Sequence, residues 1–258
     1  MKLVLCPVFA EAWKNSDPFL KVSQLEGEIY REVKTRKTFR FEFENKSYFA
    51  KVHLGVGWAE IIKNLVTLRK PIISAANEWH AINKLTEVGI DTMTAAGFGE
   101  RGINPASIRS FIITEDLINT VSLEDYCKDW LDNPPEFLFK TRLVHKLAAI
   151  SRKLHETGVC HRDYYLCHFH LNTTDVNALT LSLIDLHRAL IKTRLPERWV
   201  VKDISGLYFS AMDIGLTQRD LFRFMKIYSG KSLRDCLNGQ SKFWHEVERK
   251  ADRLYSKH

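Results

Sequence analysis

The chain contains no C-x-x-C pair, and its five cysteines (Cys6, Cys127, Cys160, Cys167 and Cys236) are an odd number scattered over 258 residues. That argues against a disulfide framework and for reduced cytosolic thiols. Cys160 and Cys167 lie close to His161 and His168. A structural zinc site would need a second ligand pair at suitable spacing, so buried thiols packing a loop are the simpler reading. No apolar run reaches the ~18 residues of a transmembrane helix. Lys2 precedes a short apolar run, Leu3-Val4-Leu5, which Pro7 interrupts; it reads as a strand or an anchoring segment, not a signal peptide. There are no internal repeats and no low-complexity linker, so a solenoid or a string of tethered domains is not expected.

What is present is an ordinary globular composition with a basic balance. Hydrophobic residues make up 45% and charged residues 27% of the chain, enough for one large domain or two small lobes sharing a cleft. The formal net charge of +7 favours an anionic partner: a nucleic acid, an acidic protein or a phosphate-bearing membrane surface. No nucleic-acid recognition motif accompanies the charge, so no nucleic-acid partner is expected.

The first half reads as strands with one or two helices. Residues 27–33 and 39–43 alternate with the period of half-buried strands, and residues 47–53 form a third, which together make an antiparallel meander. Basic residues 34–38 read as the first turn and Asn45-Lys46 as the second. A loop at Gly55-Val56-Gly57-Trp58 leads to a helix over 59–67, and Trp79, Ile82 and Leu85 mark a helix over 77–87 that stops at Gly89. Residues 90–97 and 110–114 look like further strands. The second half is mainly helical. Phe139, Leu143, Leu147, Ile150 and Leu154 form an apolar stripe ending at Gly158, and helices are expected over 203–212, 219–228 and 244–255, with a short strand over 181–184. Strands first and helices second suggest an α+β fold of two lobes, an antiparallel-sheet lobe to about residue 116 and a helical lobe from about 117 to 258.

Chemistry concentrates at His161-Arg162-Asp163, the opening of a protein-kinase catalytic loop, whose Asp accepts the proton of the attacking hydroxyl. Asp163 is therefore the candidate base, with His161 an internal brace. Lys51 sits on the third strand between Ala50 and Val52, where a kinase lysine contacts nucleotide phosphates. Glu78 is its expected ion-pair partner; Glu60 is the competitor. Asp185 ends an apolar strand, where the Mg²⁺-binding Asp of a kinase falls. An Asp there is costly unless paired or metal-bound. Two features depart from protein kinases. His168 replaces the metal-binding Asn of the loop, and imidazole suits Mg²⁺ less well than oxygen. Between the first two strands there is no Gly-x-Gly-x-x-Gly loop; Arg36 and Thr38 are the candidates to contact phosphate instead.

The runs Gly158-Val159-Cys160-His161-Arg162-Asp163 through Cys167-His168-Phe169, Ser182-Leu183-Ile184-Asp185-Leu186-His187-Arg188-Ala189, and Leu207-Tyr208-Phe209-Ser210 with Asp213-Ile214-Gly215-Leu216-Thr217 resemble the lipopolysaccharide core heptose(I) kinases of Gram-negative bacteria. So do Lys46-Ser47-Tyr48-Phe49, Asn77-Glu78-Trp79 and Phe111-Ile112-Ile113-Thr114-Glu115-Asp116-Leu117. The resemblance spans nearly the whole chain and leaves no room for another domain. His168 is shared with that family. Tyr164, Leu166 and His170 stand where Cys, Ile and Leu are expected, positions that shape the loop and not its acid–base chemistry.

The resemblance implies a single bilobal, protein-kinase-like domain. It implies ATP- and Mg²⁺-dependent phosphorylation of the 4-hydroxyl of the first heptose in the inner core. Asp163 would be the base, Lys51 and Asp185–Mg²⁺ would hold the ATP phosphates, and the Glu115-Asp116-Leu117 hinge would meet adenine. His53, Gly55, Gly57 and Trp58 would form a loop facing substrate. It also implies an association with acylated acyl carrier protein, and peripheral work at the inner face of the cytoplasmic membrane. The alternatives are a Kdo or protein-tyrosine kinase of the same fold, or a non-catalytic kinase-like scaffold.

Overall fold

In the computed structural model, which describes residues 1–33, 35–67 and 71–257, period-two alternation builds the first sheet. Phe39 and Phe41 are buried while Glu42 faces solvent, and Tyr48 and Ala50 are buried on the next strand. The elements of this unit are β1 (Lys2–Leu5), α1 (Pro7–Ala12), α2 (Pro18–Ser23), β2 (Glu28–Val33), β3 (Arg36–Phe43), β4 (Lys46–His53), α3 (Gly57–Val66), α4 (Ala76–Glu87), β5 (Ala95–Arg101) and β6 (Arg109–Glu115). The strands pair antiparallel in the order β1-β5-β6-β4-β3-β2. Phe9 and Trp13 pack with Phe39, Phe41, Tyr48 and Phe111 to form the core.

Four features differ from expectation. Strand β2 is exposed along its length, because it is the sheet edge. The β2–β3 pairing runs down to Val33↔Arg36, so Arg36 and Thr38 are strand residues, not members of a turn; Lys34 lies outside the described residues. Glu44 and Asn45, both with positive φ, make the two-residue turn between Phe43 and Lys46, as such hairpin turns require. Strand β5 begins at Ala95, not near Ile90, whose amide instead donates to Leu85 O at the end of α4.

The second unit contains β7 (Thr120–Ser122), α5 (Leu123–Cys127), α6 (Phe137–Glu156), β8 (Val159–Cys160), β9 (Phe169–Asn172), β10 (Leu181–Leu183), β11 (Leu190–Ile191), α7 (Glu197–Phe209), α8 (Gln218–Ser229), α9 (Leu233–Gly239) and α10 (Ser241–Tyr255). The two compact units comprise Met1–Lys84 with Met93–Ile118, and Leu85–Thr92 with Asn119–His258. Helix α6 buries Leu143, Leu147, Ile150 and Leu154, the stripe its spacing predicts. Helix α7 starts six residues before the expected 203, because Pro196 sets its N-cap and Glu197 its first turn. Thr217 and Asp220 form a capping box that starts α8, and Gly230 in the left-handed region ends it.

Candidate active site

In the first unit, Lys51 and Glu78 meet. Lys51 leaves the inner strand β4 and Glu78 the first turn of α4, and Lys51 Nζ donates to Glu78 Oε1 at 2.7 Å. Glu78 is 1% exposed, and its second oxygen has no hydrogen-bond partner among the described residues. A buried carboxylate of this kind needs its cation, so the pair pins the ammonium at one point above the sheet. Glu60 lies elsewhere, on an exposed turn of α3, paired with Lys63 at 3.7 Å. Thr38 stands directly across from Lys51, and Arg36 across from His53. Cross-strand partners share a face, so the register puts Arg36 and Thr38 on the same side of the sheet as Lys51.

Other expected residues fall differently. Gly57 and Trp58 open helix α3 and do not belong to a loop. His53 is buried at the end of β4. Gly55 has φ +95°, and a Cβ there would lie 2.9 Å from Ala106 O, so the connection needs glycine to pass this backbone. The Glu115 amide donates to Thr94 O and the Asp116 amide to Ser47 O, while the Asp116 carboxylate accepts from Arg40 and Ser47. Neither amide is open to adenine. The pattern Gly97-Phe98-Gly99-Glu100-Arg101-Gly102, which sequence reading passed over, lies largely on strand β5, beyond which comes Gly102. Its glycines answer to packing: a Cβ on Gly99 would meet the Phe111 ring at 2.4 Å.

In the second unit, the catalytic-type loop is fixed by an aspartate with no sequence signal. Asp203, fully buried in α7, accepts from the amides of His161 at 2.7 Å and Arg162 at 2.8 Å, and from His155 Nε2 at 3.3 Å. Burial pushes the Asp203 carboxyl up, but the hydrogen bond and charge of His155 outweigh it and hold the group below its ordinary value. These bonds hold Arg162 at φ +75°, a conformation that costs a non-glycine residue energy. His161 is buried and its Nε2–H donates to Ile184 O at 2.8 Å; burial lowers its pKa, so the ring is neutral. His161 is thus a brace. Tyr164 is buried against α6 with its hydroxyl 2.8 Å from Ser151 Oγ, and Leu166 is also buried. His170 meets Thr120 at 3.1 Å. The three local departures from the family pattern therefore sit in packing and bracing positions.

Asp163 sits among cations. Arg188 Nη1 donates to both of its oxygens, at 2.8 and 2.9 Å, and Lys202 Nζ lies 3.8 Å away while also donating to Arg162 O. Burial lowers the Lys202 pKa, an effect the Asp163 charge partly opposes. Neither Arg188 nor Lys202 stands out in the sequence as a site residue.

Asp185 occupies the left-handed region at φ +58° one residue beyond β10, after Ile184, and opens the 3-10 turn Leu186–Arg188. Its Oδ1 accepts from His187 Nδ1 at 2.5 Å, and its Oδ2 lies 3.7 Å from His168 Nε2. His168 Nδ1 is 2.6 Å from Asp163 O. A carbonyl only accepts, so Nδ1 carries a proton there, and Nε2 is the ring nitrogen turned toward Asp185. Asp185 Oδ2 and His168 Nε2 are therefore convergent donors. No group of three or more His, Cys, Asp or Glu side chains arranged for a metal occurs among the described residues. Of the two convergent groups, the Asp185 carboxylate is the hard oxygen ligand that Mg²⁺ favours alongside phosphate oxygens and water, and the imidazole suits it less well. The Cys167 thiol is pushed up to about 11 by burial, so it is no ready thiolate ligand.

A separate apolar cavity of about 370 Å³ lies within the second unit, lined by Leu147, Ile204, Leu207, Phe224, Met225 and Trp244 among others.

A family model described as "Lipopolysaccharide kinase (Kdo/WaaP) family" matches residues 21–228. A lipopolysaccharide core heptose(I) kinase WaaP of Escherichia coli (strain K12) is 51% identical over 248 residues, which cover 95% of this chain and 94% of that protein. The protein of the same name from Pseudomonas aeruginosa (strain PAO1) is 45% identical over 260 residues, with 100% and 97% covered. A solved structure titled "WaaP in complex with acyl carrier protein" superposes with a TM-score of 0.86 at 42% identity, covering 99% of this chain and 100% of that one.

Proposed function

Because this chain belongs to the lipopolysaccharide kinase (Kdo/WaaP) family, we propose that it transfers the γ-phosphoryl group of ATP to the 4-hydroxyl of the first heptose of the lipopolysaccharide inner core. The observation that carries this reading is the 51% identity to a heptose(I) kinase along 95% of the chain. In this reading the heptose oxygen attacks phosphorus, the bond to the β-phosphate oxygen breaks, and Asp163 takes the hydroxyl proton. Arg188 holds the Asp163 carboxylate in one orientation through both oxygens. Lys51, anchored by Glu78, neutralises nucleotide phosphate. Arg36 and Thr38, on the face of Lys51, add phosphate contacts in place of a glycine-rich loop. Asp185 and His168 would hold Mg²⁺, which when bound offsets phosphate charge. With the Glu115 and Asp116 amides engaged, this segment would meet adenine only through groups other than those two amides.

Purified protein is to be incubated with ATP and Mg²⁺ and either heptosyl-Kdo₂-lipid A or Kdo₂-lipid A. Phosphate should enter only the heptosylated acceptor. Labelling of Kdo₂-lipid A alone would establish a Kdo kinase, and labelling of neither would leave a scaffold.

The proposal extends to a partner. The solved relative is titled as a complex with acyl carrier protein, and the apolar cavity of the second unit suits a fatty-acyl chain. We infer that this chain binds acylated acyl carrier protein. An acylated carrier should raise the melting temperature more than the unacylated one, and Leu147→Trp, which fills the cavity, should erase the difference.

In this reading the acceptor is a glycolipid, and we infer that the protein works at the inner face of the cytoplasmic membrane. No helix among the described residues is long and apolar enough to cross a membrane, so the contact would be peripheral.

A further inference from the structure

Helix α7 brings the proposed base a cation that its positioning does not need. Arg188 already holds Asp163 through both carboxylate oxygens. Lys202 Nζ lies 3.8 Å from Asp163 Oδ1, beyond hydrogen-bond distance. An ammonium has three N–H donors. One of them goes to Arg162 O, and Lys202 makes no other hydrogen bond among the described residues. Its side chain is 38% exposed, so the remaining donors are open to a ligand beside the base.

The charges around this ammonium do not cancel. Those that act on it are the cations Arg188 and Arg162 and the carboxylates Asp163 and Asp203. Asp203 is fully buried and committed to the amides of His161 and Arg162 and to His155. Arg162 turns its guanidinium to the Trp199 ring, 5.0 Å from the centroid, and Arg198 shares that ring at 5.5 Å. Glu197 stands at the exposed start of α7, and Asp185 faces His187 and His168. With Lys202 itself, three cations therefore meet two carboxylates. Asp163 loses its charge when it takes the hydroxyl proton, and the excess of positive charge grows at that moment. The setting is partly buried, where such an excess acts more strongly than in water.

Phosphoryl transfer brings an anion to this point. A base sits about 2.6–3.2 Å from the hydroxyl oxygen it deprotonates, and that oxygen lies about 3–3.5 Å from the phosphorus it attacks. An ammonium 3.8 Å from the carboxylate oxygen of the base is within reach of a phosphoryl oxygen on the acceptor side. Given the transfer reaction proposed above, on which this inference rests, we propose that Lys202 is a catalytic residue, donating to an oxygen of the phosphoryl group as that group passes from ATP to the heptose. The bonds made and broken, and the proton taken by Asp163, are those of that reaction; Lys202 adds charge and a hydrogen bond and gives up no proton. Two other roles compete: a brace on Arg162 O, and a partner for a sugar carboxylate of the acceptor.

The test uses the purified full-length protein with ATP, Mg²⁺ and a water-soluble, deacylated heptosylated acceptor. Lys202→Gln keeps a donor for Arg162 O and loses the charge, Lys202→Arg keeps the charge, and Lys202→Met loses both. Lys202→Gln and Lys202→Met should lower kcat by about 10²-fold, with KM for ATP and for the acceptor near wild type. Lys202→Arg should be faster than either. Binding gives a second readout. ADP with aluminium fluoride, which mimics the transferring phosphoryl group, should bind wild type more tightly than ADP alone. Lys202→Gln should lose that gain while binding ADP, and melting, as wild type does. Lys202→Gln as fast as wild type beside a slow Lys202→Met would make Lys202 a brace and overturn the proposal. So would equal losses of affinity for ADP and for ADP with aluminium fluoride. A defect confined to KM for the acceptor, gone once the sugar carboxylates are reduced to alcohols, would assign the ammonium to the acceptor and overturn it too. The two readings fail separately. Transfer to Kdo₂-lipid A in place of the heptosylated acceptor, with Lys202→Gln still slow, sinks the heptose assignment alone. Transfer to the heptose by Lys202→Gln at the wild-type rate sinks the role of Lys202 alone.

Discussion

Arg188 Nη1 reaches both carboxylate oxygens of Asp163, at 2.8 and 2.9 Å, so the proposed base is oriented by a residue 25 positions later in the chain. The contact runs through one nitrogen of a planar, delocalised cation, whose position a shorter, flexible ammonium does not reproduce. Arg188→Lys should therefore lower kcat by about ten- to a hundredfold while leaving KM for ATP near wild type. Guanidinium added to Arg188→Ala should restore part of the rate. A kcat that survives in Arg188→Ala would show that the clamp does not position the base.

The Lys51–Glu78 pair should show different energetics for its two halves. Removing Lys51 leaves a buried carboxylate without its cation. Lys51→Met should cost toward the lower end of about 3–5 kcal/mol, since the lysine itself is partly exposed. Lys51→Met/Glu78→Leu should recover most of that stability and none of the activity. Urea unfolding of the single and double variants tests this; a double variant less stable than Lys51→Met contradicts it.

Asp203 fixes the backbone of His161 and Arg162. Asp203→Asn keeps an acceptor but loses charge, and each charge-assisted bond is worth about 1.5–3 kcal/mol. The variant should unfold at lower temperature, and its amides at 161 and 162 should exchange hydrogen faster than in wild type. Unchanged protection at those two amides would contradict the role assigned to Asp203.

Stability should fall on the acid side of neutrality. His161 is buried neutral with its pKa below the ordinary 6.5. Below 6.5 the unfolded chain takes up a proton that the folded protein resists, so stability is lost as pH falls. Asp203, also held below its ordinary value, adds a second loss once pH drops through the carboxylate range. Melting temperatures from about pH 7 to about pH 5 should decline in wild type and decline less in His161→Gln. Parallel curves would remove His161 from the account.

Which parts were legible follows from the range of the interactions. Helix α6 is announced by its own spacing, and β3 and β4 by theirs, because each pattern is written in contiguous residues. The approach of Lys51 and Glu78 is anticipated because each sits on an element whose type the local pattern sets. Asp203 and Arg188 are silent: they act through contacts 41–42 and 25 residues apart, and nothing local marks an Asp inside a helix as a brace. Helix α3, expected over 59–67, starts two residues earlier at Gly57, because Gly55 and Gly57 suggest a loop. The edge position of β2 is a property of the sheet, not of the strand.

The central claim is that Asp163 drives phosphate transfer to the core heptose. It is met most directly by mass spectrometry of core oligosaccharide from cells that lack the heptose phosphate, complemented with wild type or Asp163→Asn. Wild type should restore one phosphate on the first heptose, and Asp163→Asn, expected to be slower by about 10²–10⁴-fold, should restore little or none. Full restoration by Asp163→Asn, or a wild-type phosphate found on a sugar other than the first heptose, would contradict the account.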